Sequence, residues 1–296
     1  MTVVGVLAHS GKTLGGGLGA LRTLLAQHGV DDPLWREVPK SKFVAKMVAE
    51  LVDAGVELLF VWGGDGSVQR CIDAVGKTPV TLAILPAGTA NLFAANLGIP
   101  TDLEEAVEIG FSGRRRRLDV GAVNGERFGV MAGIGFDALM IRAADAGQKD
   151  RLGRLAYVWA GLRGVGRDAV QTRVEVDGMA WFKGPATCVL VGNMGTVLGG
   201  MAAFPDARPD DGRLDVGIVT AQGVVEWART LGRTMAGHPG SSPFVETMTA
   251  TRIDVSLEKK LPYELDGGDR PKTKHLRFRV KPAAITVCVP ESEETR

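Results

Sequence analysis

The stretch LLFVWGGDGSVQRCIDAV, residues 58–75, limits what the chain can fold into more than any other. Its apolar run has the length and continuity of a buried strand. The run stops at two glycines, an aspartate and a third glycine, and amphipathic spacing begins at once. A buried strand feeding straight into a helix is the repeating unit of a parallel α/β sheet, and the same grammar recurs on both sides. TVVGVLAHSGK reads as a strand entering a glycine-rich turn, and LGALRTLLAQHG sets Leu18, Leu21, Leu24 and Leu25 at helical spacing before a glycine stop. KSKFVAKMVAELVDAGV predicts a second amphipathic helix, VELLFVW a buried strand and SVQRCIDAV a third helix. TLAILPAG then predicts a strand before the helical TANLFAANLG. Residues 1–112 are therefore expected to form a parallel α/β sheet.

After RRRRLDV the texture changes to short β-rich runs broken by turn signals. These are DVGAVNGERFGVMAGIG, TRVEVDGMAWFKGPATCVLVGN, RLDVGIVT, RIDVSLEKKLPYELDGG and HLRFRVKPAAITVCVP. Two helical stretches lie among them, FDALMIRAADAGQKDRLGRLAYVWAGLRGV and VVEWARTLGRTMAG. The expectation is a mostly antiparallel β-sandwich domain with helical insertions. The boundaries follow as an α/β domain at 1–118 and a β-rich domain at 119–286, with the extreme C-terminus, about 287–296, returning to the first.

Composition narrows the function classes. Thirty-five basic residues against 34 acidic ones lack the basic excess of a nucleic-acid binder. Cys71, Cys188 and Cys288 are widely spaced, without a CxxC or Cys/His pairing, so neither a disulfide framework nor a zinc site is indicated. The start MTVVGVLAHS lacks the pattern of a signal peptide, and no stretch reaches the ~18 apolar residues of a spanning helix. A cytoplasmic protein without a transmembrane segment is expected.

Four segments carry candidate chemistry. GVLAHSGKT invites a Walker A assignment, but five residues separate Gly5 from Gly11 where that loop needs four. The turn still offers Ser10 and Gly11 as an anion-receiving segment, or is simply a connecting turn. In GGDG, Gly63, Gly64 and Gly66 permit close backbone approach, and the following helix would aim its N-terminus at phosphate oxygens. Asp65 fits either a Mg²⁺ shared with those phosphates or a helix cap. LPAGTAN repeats the pattern with Thr89 and Asn91 opening a helix, and two such loops on one sheet edge converge on a common crevice. RPDDGRLDV is an acidic turn that binds a cation or only reverses the chain. RRRR, 114–117, steers toward anionic lipid or is a solvated face.

In order along the chain, these segments resemble the diacylglycerol kinase catalytic-domain family, which includes bacterial lipid kinases related to sphingosine kinases. GGDGS looks like the family's nucleotide loop and ILPAGTANLFAANLGIP like its L-P-x-G-T-x-N segment. GIGFDALMIRAADAGQKDRLGRLAYVWAGL, VGNMGTVLGGMAAFPDARPDDGRLDVGIV and ELDGGD look like later blocks. The resemblance implies a nucleotide domain followed by a β-sandwich lipid-substrate domain. The activity it implies is ATP- and Mg²⁺-dependent transfer of the γ-phosphate to a lipid hydroxyl, with diacylglycerol giving phosphatidic acid as the leading case. An NAD kinase-like enzyme, or a nucleotide- or lipid-binding regulator without transfer activity, is the alternative. The partner implied is a lipid at a membrane surface, with peripheral contact at the inner membrane face, and a homodimer is compatible with it.

Residue by residue, the resemblance puts Leu7, Ala8, His9, Ser10 and Gly11 in a first phosphate segment. Gly63, Gly64, Asp65, Gly66, Ser67, Val68, Gln69 and Arg70 fall in the main nucleotide loop, and Thr89 is a further ATP contact. Lys40 lies near a position where the family has Thr. Arg208 and Arg213 would offer carbonyls, and Asp211 a carboxylate, to a structural Mg²⁺, with Asp119 in its water network. Asp266 is the expected proton acceptor, with Asp269 as the nearby substitute. Two departures stand out. The family's Asn-Glu after GGDGT is Gln69-Arg70, and its D-G-E is Asp266-Gly267-Gly268.

Overall fold

The computed structural model describes residues 2–76, 78–135, 169–197, 202–235 and 239–291. The chain forms two compact units, Met1–Asp119 with Ala283–Arg296, and Val120–Pro282.

In the first unit, β1 (Val4–His9) lies between β2 (Leu34–Val38) and β3 (Leu58–Gly63), and β3 pairs on its other edge with β4 (Thr81–Pro86), all in parallel. Every residue of β3 is buried, which explains its unbroken apolar run. Helices α1 (Gly17–Gln27), α2 (Val44–Asp53) and α3 (Asp65–Val75) bury apolar stripes such as Leu21 and Leu25, and Val44, Val48 and Leu51. α4 (Leu92–Asn96) is a single short turn, and α5 (Leu103–Ser112) is capped by the Asp102 side chain on the Glu105 N–H. Two boundaries differ from the sequence reading. The second helix does not start at Lys40, whose backbone is extended; a 3₁₀ turn over Ser41–Phe43 precedes α2. The third begins at Asp65 rather than Ser67, with Gly64 at its N-cap.

The second unit is built from antiparallel strands. β5 (Arg114–Val123) leads into it and forms a hairpin with β6 (Glu126–Phe128). β7 (Met131–Ile134), β10 (Cys188–Gly192), β11 (Leu214–Val219) and β12 (Val245–Ala250) pair in succession, with α6 (Val224–Met235) between the last two in sequence. β13 (Arg252–Leu265) pairs with β7, with β8 (Val170–Val176) and with β14 (Gly268–Val289), while β9 (Met179–Ala186) completes a hairpin with β8. Alternation is clean in β8, where VQTRVEV turns its valines inward. The core includes Phe128, Val174, Val191, Val216, Ile253 and Phe278, with the Phe128 and Phe278 rings edge to face at 6.2 Å. The long helical stretch expected at 136–165 lies outside the described residues.

Three hairpins of this unit turn on two residues, Asn124-Gly125, Asp177-Gly178 and Asp266-Gly267, all at positive φ. That is the backbone a tight hairpin demands, and Asn, Asp and Gly tolerate it best. In each, the Asx side chain reaches a neighbouring backbone. Asn124 bonds the His275 carbonyl and the Arg277 N–H. Asp177 accepts the N–H groups of Thr251 and Arg252.

Candidate functional site

In the first unit, β1, β3 and β4 run parallel and in register, so His9, Gly63 and Pro86 end on one sheet edge and the three following loops emerge together. The glycines of two of these loops meet backbone to backbone. A Cβ on Gly88 would stand 2.5 Å from the Gly64 Cα, and one on Gly64 would stand 3.1 Å from the Gly88 Cα. Bare backbone is therefore required first by the loops themselves. Asn91, at φ 48°, stitches the second loop: its Oδ1 accepts the Gly88 N–H at 2.8 Å, and its Nδ2 donates to the Pro86 and Gly88 carbonyls at 3.1 and 2.9 Å.

Asp65 serves the same junction. Its carboxylate accepts from the Phe93 N–H at 3.4 Å and from the Leu92 and Asn91 N–H groups, so it caps α4 rather than its own helix. Burial raises its pKa above the ordinary carboxylate value, and those N–H groups pull it back down. In the first loop, the Ser10 N–H donates to the Val38 carbonyl at 3.0 Å, and Gly11 donates to Nδ1 of His9 at 3.2 Å. Trp62, fully buried, ties that loop down through Nε1 to the Lys12 carbonyl.

The expected nucleotide-loop residues divide by exposure. Ser10, Gly11, Lys40, Gly66 and Thr89 are exposed; Gly64, Asp65 and Arg70 are half-buried; Gly63, Ser67, Val68 and Gln69 are buried. Sequence reasoning missed Ser41. Its Oγ lies 3.7 Å from where a Cβ on Gly66 would stand, so the 3₁₀ turn puts a hydroxyl beside the GGDG loop. The signal was available as a serine next to Lys40.

In the second unit, Asp266 is buried, and its carboxylate accepts three backbone N–H groups: Gly129 at 2.7 Å, and Val130 and Met131 at 2.9 Å each. Asn193, a second residue sequence reasoning passed over, holds the same segment through Nδ2 to the Gly129 carbonyl. A buried carboxylate saturated by amides at a hairpin turn fastens the backbone, as Asn124 and Asp177 do at theirs. Asp269 is exposed, and among the described residues its carboxylate has no hydrogen-bond partner. At the position where the resemblance implies a glutamate, a Cβ on Gly268 would meet Nη1 of Arg270 at 3.0 Å.

Around the acidic turn, Arg208, Asp211 and Arg213 are exposed, and the Asp211 Oδ1 accepts the Arg213 N–H at 2.9 Å. Asp215 on β11 is pushed up to about 6, by burial first and then by the charges of Asp211 and Asp206. Among the described residues, no three His, Cys, Asp or Glu side chains are grouped to hold a metal. The turn suits a hard cation only as a set of carbonyls with one carboxylate. Asp119, in the first unit, is buried and accepts the Ala283 N–H at 2.7 Å.

Comparison with known proteins matches residues 6–123 to the diacylglycerol kinase catalytic domain, and residues 130–289 to the YegS C-terminal NAD kinase beta sandwich-like domain. A probable lipid kinase YegS-like protein of Pseudomonas aeruginosa (strain UCBPP-PA14) is 35% identical over 83% of this chain and 80% of its own length. The chain belongs to the diacylglycerol kinase catalytic-domain family. Within that family of lipid kinases, a diacylglycerol kinase structure from Bacillus anthracis str. Sterne superposes with a TM-score of 0.78 at 26% identity, covering 97% of this chain and 96% of that one. The fold extends to an NAD kinase from Archaeoglobus fulgidus in complex with ATP, with a TM-score of 0.51 at 11% identity over 97% and 94% of the two chains. Among the described residues, no helix is long and apolar enough to cross a membrane.

Proposed function

We propose that this lipid-kinase family member transfers the γ-phosphate of ATP to a lipid hydroxyl, with Mg²⁺ and with diacylglycerol as the leading acceptor. The observation that carries the reading is the junction of Gly64 and Gly88, which brings two loops together on the sheet edge beside Ser41 and Gly66. Phosphoryl transfer asks the protein mainly for positioning and for neutralisation of charge. Gly64 to Arg70 and Thr89 would bound the phosphates, with the hydroxyls of Ser10 and Ser41 as further donors. Asp65 keeps the second loop in place. The carbonyls of Arg208 and Arg213, with the Asp211 carboxylate, would hold a structural Mg²⁺. For the acceptor, Asp266 fixes the 129–131 segment, and the exposed Asp269 is the carboxylate left to orient the hydroxyl and take its proton. The setting is the cytoplasmic face of a membrane.

Transfer from γ-labelled ATP, offered diacylglycerol, other lipid alcohols and NAD side by side, tests the reading. Label in a phospholipid product supports it. Label in NADP favours the NAD kinase alternative, and tight ATP binding without transfer to any acceptor favours a regulator.

A further inference from the structure

In the second unit, β8, β13 and β14 turn one face to the core through residues such as Val174, Ile253, Val255, Leu276 and Phe278. The other face carries charge. Register sets Arg252 opposite Arg279, Asp254 opposite both Glu175 and Arg277, and Ser256 opposite His275. Arg252, Asp254, Ser256, His275, Arg277 and Arg279, together with Glu175, line one cavity of about 430 Å³. None of these residues belongs to the nucleotide, metal or acceptor segments above.

Like charges set opposite one another across an antiparallel pair destabilise it, so three arginines gathered on two neighbouring strands call for anions. The chain supplies fewer than that. Asp254, half-buried, accepts Nε of Arg252 at 2.7 Å and both Nη groups of Arg279 at 3.2 Å each. Glu175 is paired with Arg173 at 3.1 Å. Both carboxylates of the cavity are therefore engaged, and among the described residues the Arg277 guanidinium makes no hydrogen bond or ion pair. Its backbone is nevertheless fixed, through the N–H that Asn124 Oδ1 accepts at 3.1 Å. Arg252 uses only Nε, which leaves both of its Nη groups without a partner among the described residues. Asp254 thus holds two guanidinium groups in the cavity wall in advance of any ligand, and a pre-ordered wall lowers the cost of binding.

We propose that this cavity binds a phosphate group, held by Arg277 and by the Nη groups of Arg252. The Ser256 hydroxyl, 3.3 Å from Nδ1 of His275, is a further donor. A guanidinium fork pairs with phosphate oxygens two at a time, and a phosphate monoester offers three such oxygens, enough for more than one arginine. The same chemistry is presented by a soluble phosphate ester and by the headgroup of a phosphomonoester lipid. The site shares no residue with the nucleotide loops and does not depend on the nucleotide reading.

Two measurements on the full chain test it: calorimetric titration with glycerol 3-phosphate, and co-sedimentation with phosphatidylcholine vesicles made with or without phosphatidic acid. Both are run on wild type, Arg277→Gln, Arg277→Glu and Arg277→Lys, each checked for an unchanged melting temperature and unchanged ATP binding. Wild type should bind one source or both. Arg277→Gln should weaken that binding about tenfold, the worth of one charge-assisted hydrogen bond. Arg277→Glu should weaken it further, and Arg277→Lys should keep part of the affinity. Arg277-dependent binding of glycerol 3-phosphate supports the site and assigns it to soluble esters. Arg277-dependent binding seen only on vesicles with phosphatidic acid supports it and assigns it to the lipid headgroup. Wild type that binds neither, or equal binding by wild type, Gln and Glu, overturns the proposal and leaves the nucleotide reading standing.

Discussion

Arg270 Nε donates to both carboxylate oxygens of Glu126, at 3.0 and 2.8 Å. The pair parks a guanidinium against Gly268, where the family resemblance implies a glutamate. Gly268 lies outside the left-handed region, and the group facing it is the movable end of a side chain, so a larger residue can be admitted. Gly268→Glu should fold and should raise phosphate transfer to the lipid acceptor about a hundredfold, the low end of the ~10²–10⁴-fold that general-base assistance contributes. A folded variant that transfers no faster would show that the turn already has its base.

Asp266→Asn and Asp269→Asn should separate fastening from chemistry. The first exchanges an acceptor-only carboxylate for an amide that must point a donor at one of three N–H groups, costing about 3 kcal/mol of stability. The second should leave the melting temperature in place and lower the turnover number. A fully active Asp269→Asn, with an Asp266→Asn that is as stable as wild type and inactive, would make Asp266 the proton acceptor.

Gly88→Ala places a methyl group 2.5 Å from the Gly64 Cα. Neither backbone can retreat cheaply, so a loss of about 1–3 kcal/mol is expected in denaturant unfolding, together with weaker ATP binding. Gly66→Ala, facing only Ser41 Oγ at 3.7 Å, serves as the control and should be close to neutral for stability.

His28 ties the end of α1 to α5 through Nε2 to Glu108 at 2.9 Å and stacks on Phe111 at 4.5 Å. The hydrogen bond to Glu108 raises the histidine's pKa above 6.5, and bonds to Ser112 and His28 lower that of Glu108. A raised histidine pKa contributes stability that is complete below the ordinary value and is lost as pH rises through the elevated one. Melting temperature should therefore fall as pH rises above about 6.5, and Glu108→Gln should flatten that part of the profile. A slope unchanged in the variant assigns it to other groups.

If the acidic turn holds Mg²⁺ as proposed, Asp211→Ala should lower the melting temperature and abolish any rise with added Mg²⁺, because it removes the one carboxylate proposed as a ligand there. Identical Mg²⁺ titrations for both chains would leave the acidic segment as a turn alone.

The alternation of strands and helices was legible in the first 112 residues because β3 is buried on both faces, so its run is apolar without interruption. β8 was equally readable, since one face is wet. What escaped were contacts between segments distant in sequence. Nothing local in GGDG tells that Gly64 answers to Gly88, or that Asp65 caps a helix 28 residues away. The hold of Asp266 on the 129–131 segment escaped for a related reason. Its Asp-Gly pair is a hairpin signal in its own right, and the motif resemblance drew attention to the carboxylate before the turn. Ser41 was hidden by the 3₁₀ turn, which a uniform helical reading of KSKFVAKMV leaves no room for.

β14 also sets an order of events for the nascent chain. Its final residues pair with β4, Thr286 beside Thr81, some 200 positions apart. During synthesis the parallel sheet can collect β1 to β4 early, yet β4 stays an uncovered edge until nearly the whole second unit has left the ribosome. An unpaired edge held open that long is a template for joining other chains. Synthesis that stalls or terminates before residue 286 should therefore yield insoluble product even when every loop of the first unit is intact, and chaperone demand should fall only when the last strand is released.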